Sequence, residues 1–147
     1  MGVLREELRH NLLNAGAAIV GFGSLRGNEK LPYPALPQVV SYAVKLEPAG
    51  DTIWDFARAY FDAEEKAALL AEYARACLRR YGYSAEVMPK AFMDGETPVT
   101  EFPDQAAAIA SGLAERNEQG LLSTPECGAN VRFGTVFTDA PWKKEVE

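Results

Sequence analysis

Four carboxylates, Asp94, Glu96, Glu101 and Asp104, fall close together in one loop and the helix start that follows it. A carboxyl held near a substrate can donate a proton. The same residues equally suit a solvated acidic loop, with Asp104 where a helix N-terminus favours negative charge. Cys127 lies between Glu126 and Gly128 in a turn after Pro125, a setting for a ligand, a nucleophile or a buried anchor. Cys77 falls on the apolar face of a helix and reads as a core thiol. The single histidine, His10, follows Glu6 by one helical turn, which suggests a surface pair rather than a catalytic triad.

Other motifs are excluded by spacing. No CxxC occurs, and two cysteines with one histidine give no zinc or iron–sulfur pattern. There is no phosphate-binding GxxxxGK[ST] loop. Gly21, Gly23 and Gly27 follow a strand, but the third glycine is one place late for a dinucleotide fingerprint. Pro32, Pro34 and Pro37 then block the helix whose N-terminus would hold a pyrophosphate. A turn is expected there, plain or leading into a ligand-facing loop.

The elements that must position these residues follow from periodicity. Leu4, Leu8 and Leu12 predict a helix over residues 3–15, with Leu13 widening its stripe and Gly16 ending it. A short strand over 17–20 precedes a loop over 23–38, and Val39–Leu46 reads as a buried strand. Asp51 or Thr52 caps a helix from Ile53 that runs, continuous or broken, to about Tyr81. Leu69, Tyr73, Cys77 and Tyr81 share one of its faces. Ser84–Met88 is a strand, 89–103 a loop, Asp104–Leu113 an alanine-rich helix, and Val131–Thr138 an alternating strand. This order, without a βαβ repeat, predicts an α+β domain of two or three layers with a mixed or mostly antiparallel sheet.

With 147 residues, 48% of them hydrophobic, the chain is expected to form one domain and needs no disulfide or metal to hold a core. A net charge of −6 without a basic tract argues against direct nucleic-acid binding. No leader-like segment or long apolar run is present, so a cytoplasmic protein with no membrane contact is expected.

The segment Gln105–Trp142 carries the most specific pattern: Ser111-Gly112-Leu113, Gly120-Leu121-Leu122, Thr124-Pro125-Glu126, Gly128, Arg132 and Thr138-Asp139-Ala140-Pro141. It resembles the corrinoid-binding part of the epoxyqueuosine reductases and their reductive-dehalogenase-like relatives. Thinner similarity over Gly16–Phe22, Tyr33–Leu46 and Leu69–Pro89 runs in the same order. The resemblance implies a nitroreductase-like fold and a cobalamin, or similarly flat cofactor, bound by Asn117, Gly120, Leu122, Thr124, Pro125, Glu126, Cys127 and Gly128. Asp94, in Asp94-Gly95-Glu96-Thr97-Pro98, is the matching candidate for the family's proton-donating aspartate. Departures are also plain: Glu118 stands at the family's lysine position, Cys127 replaces an aromatic residue, and the chain stops six residues after Pro141, where the family continues into a cysteine-rich iron–sulfur segment.

The expectation is thus a corrinoid-domain relative without iron–sulfur clusters, reductive only with a separate ferredoxin or flavoprotein donor. Loops 23–38, 89–103 and 114–130 would rim the cofactor, and the alanine-rich helix would let a broad ring approach. Two alternatives stand beside it: a non-catalytic corrinoid carrier, and a cofactor-free domain surviving as a homodimer or assembly subunit. For the dimer, Phe102, Phe133 and Trp142 are the candidate contact residues.

Overall fold

The computed structural model describes residues 2–27, 31–87, 93–94, 97–98, 102–116, 118, 120, 122–125, 127–128 and 130–142. Helix α1 (Gly2–Asn14) buries Leu4, Leu8 and Leu12 along one stripe. Leu13, expected to widen that stripe, is exposed instead. Strand β1 spans Ile19–Ser24 and β2 Gln38–Lys45. Helix α2 is a single 28-residue helix, Ile53–Arg80. Its N-cap is Thr52, whose side chain accepts from the Asp55 N–H while Asp55 reaches back to the Thr52 N–H.

Strand β3 (Ala85–Val87), the short pairs β4 (Met93–Asp94) and β5 (Thr97–Pro98), helix α3 (Phe102–Ala110), the pair β6 (Glu115–Arg116) and β7 (Leu122–Ser123), and strand β8 (Val131–Thr138) complete the order. The main sheet is antiparallel throughout, in the order β1-β2-β8-β3. The fold is α+β, as the element order predicted.

Alternation divides the sheet into two faces. Val40, Tyr42, Val44 and Val136 pack with α1 and α2, while Val39, Ala43, Phe133 and Phe137 pack with α3 and the turn after it. Three layers result. The buried stripe of α2 is set by Ala59, Ala63, Ala67, Leu70, Ala71, Ala74, Cys77 and Leu78. It corrects the expected face: Leu69 is 70% exposed and Tyr81 39%, whereas the alanines bring the helix axis close to the sheet.

The same economy of side-chain volume works on the other face. Ala107 and Ala108 of α3 are fully buried against the sheet, so these small residues serve packing rather than the approach of a ring. Gly21 and Gly23 lie inside β1, not in a turn beyond it. A Cβ on Gly21 would stand 2.7 Å from the Ser111 carbonyl oxygen, and one on Gly23 2.6 Å from that of Ala110. The glycines therefore admit the C-terminal end of α3 onto the strand. Phe133 and Trp142 are buried, so neither supplies the exposed dimer contact expected of them. Among the described residues, no helix is long and apolar enough to cross a membrane.

Candidate functional site

The segment after α3 is built on its own hydrogen bonds. Strands β6 and β7 pair through Glu115 with Ser123 and Arg116 with Leu122. The Arg116 guanidinium donates to the Gly120 carbonyl at 3.1 Å and to Gln105 Oε1 of α3 at 3.1 Å, tying the hairpin to the helix. Thr124 then closes a tight turn. Its N–H and hydroxyl both donate to the Gly128 carbonyl, at 2.9 and 3.0 Å, and its Oγ1 accepts from the Cys127 N–H at 2.8 Å. The Gly128 N–H returns a bond to the Thr124 carbonyl at 2.9 Å.

The described residues among those expected to meet a cofactor have different duties. Thr124 is buried and spends its hydroxyl on the turn. Leu122 packs against the cluster of Ala43, Ala108, Leu113, Ala114 and Phe133. Gly120 and Gly128 have φ of 80° and 67°, the left-handed region, and a Cβ on either would meet no atom within 4 Å. Pro125 is exposed and Cys127 half-buried. Asn117 and Glu126 lie outside the described residues. Asp94 ends β4, where it pairs with Thr97 of β5; its side chain lies outside the described set.

A second arrangement at the first turn of α3 was not read as a unit from the sequence. Asp104, 5% exposed, accepts from Thr135 Oγ1 at 2.6 Å and from an Arg132 terminal nitrogen at 3.1 Å. The carboxylate holds the Arg132 guanidinium above its ordinary pKa, against the opposing effect of burial. Beside them lies a cavity of about 320 Å³ between α2 and β8, walled by Ala67, Ala68, Ala71, Val87 and Phe133. Tyr42 also borders it; burial drives its phenol far above the usual range, so the hydroxyl stays protonated. Glu64, Glu72, Asp104 and Arg132 line it as well. The sequence carries no signal for the pair: alternation sets Arg132 on the face opposite Phe133 and Thr135, where a strand arginine ordinarily meets solvent.

Among the described residues, no three His, Cys, Asp or Glu side chains converge as a metal site. Cys77 is buried and donates toward Glu7 at 3.5 Å; burial and then the Glu7 charge push its thiol up to about 11.

No protein-family model matches the chain, and no curated protein matches it significantly. Solved structures do. A reductive dehalogenase described with a mechanism for B12-dependent dehalogenation superposes with a TM-score of 0.67 and 24% identity, over 90% of this chain and 19% of its own. A catabolic reductive dehalogenase gives 0.69 and 21%, over 92% of this chain and 21% of its own. The epoxyqueuosine reductase of Bacillus subtilis, in a form with its catalytic loop swung out of the active site, gives 0.59 and 16%, over 94% and 45%. The chain spans about a fifth of the first two and under half of the third. Its fold is that of one portion of the reductive dehalogenases and epoxyqueuosine reductases.

Proposed function

We propose that this chain is a corrinoid-domain relative that binds cobalamin, or a similarly flat cofactor, against the rim running from Gly112 to Gly128. The observation that carries the reading is the likeness over 90% of the chain to a protein of B12-dependent dehalogenation. The residues of the rim fit such a group. Gly112, Gly120 and Gly128 leave backbone uncovered, with open space where any side chain would stand. Broad contact with a flat ring needs such surfaces.

A bound corrin supplies redox chemistry at its cobalt. The chain's own residues bind and orient it. The Thr124 turn holds Gly128 and Cys127 in place, and Arg116 fixes Gly120 relative to α3. Arg116 also gives this hairpin a cation, although Glu118 stands at the position where the resembling family has lysine. Asp94 is the proposed proton donor, carried on the hairpin just before α3. Reducing equivalents would come from a ferredoxin-like or flavin donor outside these 147 residues, since a [4Fe–4S] cluster held by four thiolates needs more cysteines than Cys77 and Cys127.

Two measurements test the proposal. Cob(II)alamin passed anaerobically over gel filtration with the protein should co-elute with it and be unaffected by excess FMN; preferential retention of FMN would replace the corrin by a flavin. Asp94→Asn should retain the corrin and lose donor-driven turnover. Unchanged turnover would remove Asp94 from the mechanism, and binding without turnover in the parent protein would favour a carrier.

A further inference from the structure

The core-facing stripe of α2 runs off the end of the body. At 1.5 Å per residue the 28-residue helix is about 42 Å long, whereas the eight residues of β2 cover about 27 Å. Stepping back along the stripe from Ala59, the next positions are Phe56 and Ile53, which are 50% and 78% exposed. Trp54 and Phe61, one above the other at a spacing of seven, are 80% and 67% exposed on the neighbouring face, and Tyr60 is 37% exposed. An exposed apolar cluster of this kind is rare on a lone domain and marks an interaction surface.

Its surroundings are acidic. Between residues 51 and 66 stand five carboxylates, Asp51, Asp55, Asp62, Glu64 and Glu65, against the two cations Arg58 and Lys66, with Arg132 of β8 near Glu64. A two-fold contact between copies would set these carboxylates against one another, and an anionic lipid surface would be repelled. A complementary occupant has an apolar recess for the aromatic side chains, ringed by lysine and arginine. We propose that the first three turns of α2 dock a protein partner of that chemistry, independently of the cofactor proposed above.

The chain provides its own reporter, because Trp54 is exposed while Trp142 is buried. The probe is an amphipathic helical peptide with a leucine face bordered by lysines, compared with the same peptide carrying glutamates. The lysine peptide should shift Trp54 emission to the blue and protect it from acrylamide, saturably and less strongly as salt rises. Phe61→Ser should weaken that binding about tenfold or more. Leu69→Ser, an exposed apolar position further along the helix, should leave it unchanged. The proposal is overturned by protection with neither peptide or equally with both. It is also overturned if Trp54 is shielded by vesicles of phosphatidylglycerol, or by self-association with a doubled mass in light scattering.

Discussion

Tyr42 lies directly across Gly134, its partner in the β2–β8 register, and its hydroxyl donates to the Ala67 carbonyl of α2 at 2.5 Å. A Cβ on Gly134 would come within 2.5 Å of the Tyr42 ring. The glycine is required by that ring, which bridges sheet and helix at the centre of the larger core. Gly134→Ala should destabilise the fold by about 1–3 kcal/mol, the usual cost of overpacking, since a ring pinned at both ends has little room to move. Tyr42→Phe keeps the ring and should lose only about 1 kcal/mol. Urea denaturation of both variants gives the order; a Gly134→Ala protein as stable as the parent would contradict it.

Asp104 joins α3 to β8 through Arg132 and Thr135. Asp104→Ala should cost about 3–5 kcal/mol, because it strands a partly buried guanidinium. Replacing both partners, Asp104→Ala with Arg132→Met, should cost less than the two single changes added together. A double-mutant cycle with no coupling would show that the pair is incidental.

Glu7 ties α1 to the end of α2. It accepts from the Tyr81 hydroxyl at 2.7 Å and from Arg80 at 2.6 Å. The Tyr81 bond, with Cys77 and Arg80 behind it, holds the Glu7 carboxyl below its ordinary 4.5, and Glu7 raises the Tyr81 phenol above 10.0. A depressed carboxyl stabilises the fold above its unfolded value and loses that contribution as pH falls through the folded one. The raised phenol contributes below 10.0 and loses it as pH rises. Tyr81→Phe should therefore lower Tm at neutral pH, and the gap should close on both the acid and the alkaline side. A gap independent of pH would refute the linkage.

The two thiols should react at very different rates. Cys77 is buried and its pKa is pushed up to about 11, whereas Cys127 is half-buried in the Thr124 turn. Iodoacetamide at neutral pH should add once, at Cys127, and reach Cys77 only on unfolding. Peptide mass spectrometry identifies the site; rapid labelling of Cys77 would contradict its packing.

Thr124 tests how the rim works. Thr124→Val removes both hydroxyl bonds and should cost about 1–2 kcal/mol in stability. Its effect on corrin affinity should be matched by increased amide exchange at Cys127, because the hydroxyl is spent on the turn. Weaker binding with an unaltered Cys127 amide would mean that the hydroxyl meets the ligand directly.

Strong local periodicity made much of this fold legible. Leu4, Leu8 and Leu12 define α1, and VRFGTVFT matches β8 residue for residue. Misreadings arose where small residues did the packing. The alanine stripe of α2 carries little hydropathic contrast, so Leu69 and Tyr81 drew the face toward solvent. Gly21 and Gly23 looked like a turn, because nothing local reveals that Ala110 and Ser111, far along the chain, approach β1. For the candidate site, GLLSTPECG contains Thr124, but the bonds that make its turn belong to the fold. Asp104 and Arg132 are 28 positions apart and meet only once α3 crosses the sheet.

The most direct test is an anaerobic ultraviolet–visible titration with hydroxocobalamin and cob(II)alamin. The account predicts corrin bands that shift and saturate at one equivalent, with the shift weakened in Gly120→Val and Gly128→Val proteins that still fold. Unshifted bands at protein concentrations well above micromolar would contradict it and leave the chain a repurposed fold.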